Sequence, residues 1–285
     1  MIVAELRQQY LEQICRDIIR IRTNQGREYP NFADGSSAGS SNIAWAMVKQ
    51  FDCELNYIAI NGQTTGTLFE LATRDFLKAV FEKLQHLRPG RWIYTTEHTE
   101  ISRFDQYAHL AQLKNILATN KELAAALGGD YLVTPDIVVA RYPVVDSDIN
   151  APEHLVDEAQ TAQLTPLRRA NHRTEQLLLH ASISCKWTIR SDRSQNMRTE
   201  ALNLIRNRKG QTPHIVAVAA EPLPTRLAAL ALGTGDLDCV YHFALPELIQ
   251  AVESINNPDQ LDMLNTLLQG RRLRDIADLP FDLAI

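Results

Sequence analysis

The sequence predicts an α/β fold, a central mixed β-sheet flanked by helices, and three observations carry that reading. Apolar residues recur at helical spacing through most of the first half of the 285-residue chain. Strand-like runs rich in Val, Ile and Tyr cluster in the second half, and helical patterns stand between them. The length suffices for a full hydrophobic core. No composition shift divides the chain, so residues 1–285 read as one domain.

Residues 3–22 carry apolar positions at helical spacing among charged ones. The loop 33–42 is the most polar and glycine-rich stretch, and Ser41 or Asn42 could cap the helix expected over 43–51. A long amphipathic run covers 68–87, and another covers 104–127 with a break near 118–120. Strand signals fall at 131–142, 177–189, 214–220 and 239–243, with helical patterns at 195–208 and after Pro224. Residues 146–158 hold five acids (Asp146, Asp148, Glu153, Asp157, Glu158) and no Lys or Arg, which suits a surface excursion better than sheet.

The net charge of -5 argues against a protein that coats nucleic acid through phosphate neutralisation alone. Residues 186–209, however, hold seven cations against two acids, so this block is near +5 and the remainder near -10. It reads as an electrostatic footprint or as a solvated helix face. Aromatic residues are 7% of the chain, which disfavours a groove that stacks single strands.

The start of the chain lacks a signal-peptide pattern, and the longest apolar runs, such as 215–220, are too short to span a bilayer. A soluble cytoplasmic protein with no membrane association is expected. Cys15, Cys53, Cys185 and Cys239 form no C-x-x-C pair and read as reduced core thiols. The histidines show no metal-binding spacing. Gly233-Thr234-Gly235 lacks the third glycine of a dinucleotide loop and no phosphate-binding loop motif occurs, so no nucleotide cofactor is expected.

Two stretches place a charge inside an apolar, β-branched run: Thr134-Pro135-Asp136-Ile137-Val138-Val139 and Ser182-Ile183-Ser184-Cys185-Lys186-Trp187. Buried charge is costly, so such residues point to chemistry. The layout is that of a metal-dependent phosphodiesterase of the PD...(D/E)xK kind. Hydrolysis of a phosphodiester needs a cation to offset charge at phosphorus, an oriented water and a proton for the leaving oxygen. Asp136 can ligate Mg2+ through hard oxygen, and Lys186 on the neighbouring strand can orient the attacking water. Strand alternation puts Ser184 and Lys186 on one face and makes the main-chain carbonyl of Cys185 a further candidate ligand. The common pattern has an acid where Ser184 stands. Glu200, on the helix that follows, can supply that carboxylate to the metal, and Glu70 can add another.

Arg190-Ser191-Asp192-Arg193 lies just past the catalytic strand. Arg grips guanine bidentately and Asp accepts from cytosine N4, each worth about 1 to 3 kcal/mol of discrimination. One subunit would then read guanines and their neighbouring cytosines, and a two-fold mate would complete a palindrome with a CCGG core. Phosphate anchoring is the alternative role for the arginines.

The run from Leu179 to Arg193, together with Arg206-Asn207-Arg208-Lys209-Gly210, Ala231-Leu232-Gly233-Thr234-Gly235, Glu82-Lys83-Leu84-Gln85-His86, Gln106-Tyr107-Ala108-His109-Leu110 and Asp34-Gly35-Ser36, strongly resembles the NgoMIV-type type II restriction endonucleases. The resemblance covers most of the chain. It implies a restriction-endonuclease-like fold and a site written as PD, then S/T-x-K, then a distant E, which falls on Asp136, Ser184, Lys186 and Glu200 with Glu70 as accessory acid. It implies that Asp34, Ser36, Gln63 and Arg226 read an outer base pair, so that GCCGGC is the target, cut after the first G to leave 5′-phosphates. It also implies a homotetramer on double-stranded DNA, whereas a palindrome by itself asks for a homodimer. Residues 144–176 match the family poorly, and contacts between dimers are expected there. A structure-specific repair nuclease and an inactive DNA-binding regulator are the alternatives; the Arg-Ser-Asp-Arg run speaks against the first and an intact Asp136, Lys186 and Glu200 against the second.

Overall fold

Tyr10, Leu11, Ile14 and Cys15 recur three or four residues apart, so helix α1 (Ile2–Asp17) buries one face. The helix expected to reach residue 22 ends there. A β-branched run follows, and the chain turns into a hairpin of β1 (Ile21–Asn24) and β2 (Arg27–Pro30). Gln25 and Gly26 close it with φ of 49° and 76°, the left-handed backbone that a two-residue hairpin turn requires. The computed structural model describes residues 1–127, 133–158, 161–172, 176–189, 191–233 and 235–285, and for 191–194 the backbone only.

Helix α2 (Ala38–Val48) starts earlier than expected, because Ser37 and not Ser41 or Asn42 caps it, accepting from the Ser40 N–H at 3.3 Å. Helix α3 (Gly62–Phe81) is likewise capped by Asn61, which accepts from the Thr64 N–H at 2.8 Å. β3 (Trp92–Thr95) has no counterpart among the sequence-based expectations. The run 104–127 divides at Asn120 into α4 (His109–Thr119) and α5 (Lys121–Leu127), as its break suggested. β4 (Ile137–Arg141), the short α6 (Asp146–Ile149), β5 (Leu178–Lys186), α7 (Ser191–Asn207), β6 (His214–Ala219), α8 (Pro224–Ala231) and β7 (Cys239–His242) follow. The chain continues through α9 (Leu245–Ile255), α10 (Pro258–Gln269), β8 (Leu273–Asp275) and α11 (Leu279–Asp282).

Among the described residues the main sheet has six strands in the order β3-β4-β5-β6-β7-β8. β4 runs antiparallel to β5, with Ile137 opposite Ile183, while β5, β6, β7 and β8 are mutually parallel. The direction reversal brings the first residues of β4 beside the last residues of β5. Lys186 in turn pairs with Ala219 near the end of β6. One edge of the mixed sheet therefore collects three strand ends, and the loops above it lie within reach of one another. Helices flank the sheet, as expected, and a contiguous core runs from Tyr10 to Leu283.

The cysteine expectation is corrected in part. Cys15 and Cys53, 38 residues apart, are joined in a disulfide between α1 and the loop ahead of α3, while Cys185 and Cys239 are free and buried. Spacing along the chain does not reveal a pair that only the tertiary fold brings together. The acidic excursion begins on the surface as expected, yet it is anchored: buried Arg168 donates to both Asp146 oxygens at 2.7 Å. Among the described residues no helix is long and apolar enough to cross a membrane.

Two buried histidines tie the fold to pH. His180 packs against Trp92, with its Nε2 2.8 Å from the Leu283 carbonyl oxygen, and burial lowers its pKa to about 3. Burial lowers His242 to about 4; its Nδ1 accepts the Ala244 N–H at 3.2 Å. Both folded-state pKa values lie below the unfolded value near ~6.5, so the stabilisation is complete above that pH and is lost as pH falls toward 4. Each histidine should steepen the loss by about 1.4 kcal/mol per pH unit within that window. Urea unfolding from pH 7 to pH 4 measures it, and His180→Asn should remove one such increment; an unchanged slope in that variant would contradict the assignment.

Candidate active site

Asp136 stands one residue ahead of β4, on the edge where three strand ends meet. Its Oδ2 accepts from Lys186 Nζ at 2.7 Å and from the Cys185 main-chain N–H at 2.8 Å. Both donors come from the last two residues of β5. The sequence folds this way because β5 alternates: Cys185, Trp187 and Ile189 are buried, whereas Ser184, Lys186 and Thr188 are only partly covered. Trp187 locks the buried side, packing on Phe32, Phe69 and Phe243 at ring separations of 5.8, 5.1 and 5.8 Å. Lys186 is thereby directed to the opposite side, toward Asp136.

The main-chain contact of Cys185 refines the expectation for its carbonyl. The Lys186 carbonyl accepts from the Ala220 N–H on the β6 side, so the N–H and C=O of the preceding residue point the other way, toward β4. What Asp136 engages is the Cys185 N–H; the carbonyl of the same residue faces the same edge. The Cys185 thiol lies on the buried side, and burial, reinforced by Asp136, raises its pKa well above the usual thiol range.

Glu70 on α3 and Glu200 on α7 both sense this centre, one half-buried and one exposed at its tip. Desolvation raises the Glu70 pKa and the Asp136 charge adds to it, against the pull of Lys186 and His98. Glu200 is also raised, first by desolvation; Lys186 works against the shift and Asp136 with it. Burial opposes the charge on Lys186, but Asp136 outweighs it and the ammonium is held more firmly than in water. The three acids and one lysine thus form a coupled set with a surplus of negative charge. Oxygen-only donors with unmet negative charge suit a hard divalent cation. Among the described residues no three acid, Cys or His side chains converge at ligand spacing, and Asp136 is paired with Lys186.

Beside this centre lies a cleft of about 920 Å³, lined in part by Asp34, Ser36, Gly62, Thr188 and Arg226. Asp34 and Ser36 form a tight loop: the Ser36 N–H and hydroxyl donate to Asp34 Oδ1 at 2.9 and 2.6 Å. Gly35 is required there, because a Cβ would stand 2.5 Å from the Tyr29 ring. Arg226 Nη2 on α8 donates to Asp34 Oδ2, and this pair, followed by the Ser36 donors, lowers the Asp34 pKa to about 2. Gln63 is exposed on the first turn of α3, next to Gly62 in the wall. Arg190 lies outside the described residues, as do the side chains of Asp192 and Arg193, whose backbone opens α7.

The cationic block divides between roles. Lys186 is committed to Asp136, and Arg198 to Asp236 and the Leu232 carbonyl. Arg206 is exposed on α7. Sequence reasoning missed Arg22 and Asn24 of the hairpin, which also line the cleft, and buried Glu221, 3.8 Å from the cleft residue Arg226. Glu221 ends the apolar run 214–220, so it carried the same signal as Asp136 and Lys186: a charge at the end of a buried strand.

A family model described as NgoMIV restriction enzyme matches residues 10–285. The Type II restriction enzyme NgoMIV of Neisseria gonorrhoeae is 52% identical over 257 residues, 89% of this chain and 89% of that protein. The solved structure of the Type IIF restriction endonuclease Bse634I with cognate DNA aligns over 95% of this chain and 99% of its own, at 12% identity and a TM-score of 0.37. The protein is therefore a restriction endonuclease, a site-specific deoxyribonuclease. Within that class the chain belongs to the NgoMIV restriction enzyme family.

The Asp34 environment gives a direct test of the cleft geometry. Arg226→Ala should raise the Asp34 pKa from about 2 toward, but not fully to, the free value near ~3.9, because the Ser36 donors remain. Carboxyl 13C NMR titration reads the shift, and a value unmoved near 2 would refute the pairing.

Proposed function

We propose that this endonuclease hydrolyses double-stranded DNA at GCCGGC, cutting after the first G, with Mg2+ as cofactor, and that Asp136, Ser184, Lys186 and Glu200 carry the chemistry with Glu70 as accessory acid. The carrying observation is the Asp136 carboxylate held 2.7 Å from Lys186 at the junction of β4 and β5. Asp136, the Cys185 carbonyl and Glu200 are the groups that would hold the metal, and the metal when bound offsets the charge that builds on the phosphate. Lys186 orients a water against phosphorus. The water oxygen bonds to phosphorus as the water releases a proton to solvent, the bond to O3′ breaks, and O3′ takes a proton from solvent, leaving a 3′-hydroxyl and a 5′-phosphate. Ser184 shares the partly covered face with Lys186.

Arg190, Asp192 and Arg193 read the CCGG core in the major groove, and Asp34, Ser36, Gln63 and Arg226 read the outer pair. The position of Asp34, Ser36 and Arg226 in one cleft next to the strand ends supports the second assignment. A palindrome is matched by a homodimer, and the family supports a homotetramer; residues 1–285 act as one domain in the cytoplasm.

Plasmid incubated in Mg2+, with an EDTA control and run-off sequencing of the ends, tests target and chemistry together. Discrete ends within GCCGGC are expected; cuts elsewhere would overturn the specificity. Asp136→Ala should abolish cutting in the same assay while binding of the cognate duplex in Ca2+ persists. Retained Mg2+-dependent cutting by that variant would overturn the role of Asp136.

A further inference from the structure

Glu221 is fully buried at the end of β6, and it is unusual in what it holds. Its Oε2 accepts the Ile189 N–H at 3.2 Å, and its Oε1 accepts the Leu223 N–H at 3.2 Å. Ile189 is the residue ahead of Arg190, where the Arg-Ser-Asp-Arg run begins. Leu223 is the N-cap of α8, the helix that carries Arg226, and its carbonyl in turn accepts the Arg226 and Leu227 N–H groups. The guanidinium of Arg226 itself lies 3.8 Å from Glu221 through Nη1, while Nη2 of the same group engages Asp34. A single buried carboxylate thus touches the backbone that leads into one reader and the backbone and side chain of another.

Burial of that carboxylate is costly, and its pKa is raised to about 7 by burial, with the Ile189 N–H, Arg226 and the Leu223 N–H acting against the shift. An uncharged core residue would fill the space without that cost, so the position is explained by the two strand-end and helix-cap donors that it holds in register. We propose that Glu221 is a positioning residue for sequence readout: it fixes the segment entering Arg190 relative to Arg226 and Asp34, so that inner and outer base pairs are read as one unit. The inference rests on the assignment of those residues as readers.

Single-turnover cleavage and duplex binding by Glu221→Gln test it, using GCCGGC, a duplex altered only at the outer pair and a duplex altered only in the core. Gln keeps one oxygen acceptor and turns an NH2 toward the other N–H. Discrimination against both altered duplexes should fall about tenfold or more, with the thermal unfolding transition retained. Glu221→Asp, which keeps the charge but withdraws it by one methylene, should lose less and serves where the Gln variant does not fold. In a cycle with Arg226→Ala, the effect of Glu221→Gln on the outer pair should largely disappear while its effect on the core remains. A folded Gln variant with unchanged discrimination, or one that weakens all three duplexes equally, overturns the proposal. Wild-type protein that does not favour GCCGGC refutes the reader assignment instead, and the same cycle is then run on the sequence that the wild type cuts.

Discussion

The contact on which the site depends is the Asp136 carboxylate bridging two donors from the end of β5, one from a side chain and one from the backbone. Either donor alone would fix only a distance. Together they fix the orientation of the carboxylate, because one oxygen has to satisfy an ammonium on the site face and an N–H at the strand edge. This is possible only because β4 runs against β5, so that the start of β4, with Ile137 opposite Ile183, lies near the end of β5. A parallel β4 would carry Asp136 to the far end of the sheet. The charge pair is in turn kept in place by apolar packing on the other side of β5. Trp187, wedged among three phenylalanines, prevents a one-residue slip that would exchange Lys186 for Cys185 on the working face.

Electrostatically the centre combines desolvation with a surplus of negative charge: burial raises the two glutamates first, Asp136 adds to it, and Asp136 outweighs burial at Lys186. Glu70 and Glu200 bind protons more tightly than free carboxylates, and Lys186 holds its own more tightly than a free amine. One cation cannot balance three acids in a partly dehydrated site. In the function proposed for this centre, a divalent ion would supply that balance through oxygen ligands.

Much of this was legible in the chain, and what was not has a physical cause. Asp136 and Lys186 stood out because a charge next to or inside a β-branched, apolar run is rare. β3 and β8 did not stand out, since short edge strands carry little periodicity. The start of the hairpin, Ile21 and Arg22, was absorbed into the helix expected over 3–22 because strands of four residues carry little periodicity of their own. Glu221 was visible by the same rule that found Asp136, but no motif drew attention to it. The Cys15–Cys53 bond was invisible because nothing local links α1 to the loop ahead of α3. The pairing of Asp34 with Arg226, 192 residues apart, is likewise a property of the tertiary fold alone.

That pairing changes how discrimination is achieved in the reading proposed for the cleft. Asp34 and Arg226 satisfy each other, Ser36 satisfies Asp34, and Glu221 stands behind Arg226, so the reader groups are hydrogen-bonded before any base arrives. A base that matches exchanges one set of charge-assisted bonds for another, and the net gain is small. A base that does not match displaces the existing partners without replacing them, leaving desolvated charged groups at a cost of about 1 to 3 kcal/mol each. Specificity then comes mainly from the penalty on wrong sequences and only modestly from added affinity for the right one. Such a scheme needs the groups to be held rigidly, because a reader free to swing back to its old partner would escape the penalty. Rigid placement is what the Gly35 turn, the Ser36 donors and the buried Glu221 carboxylate supply.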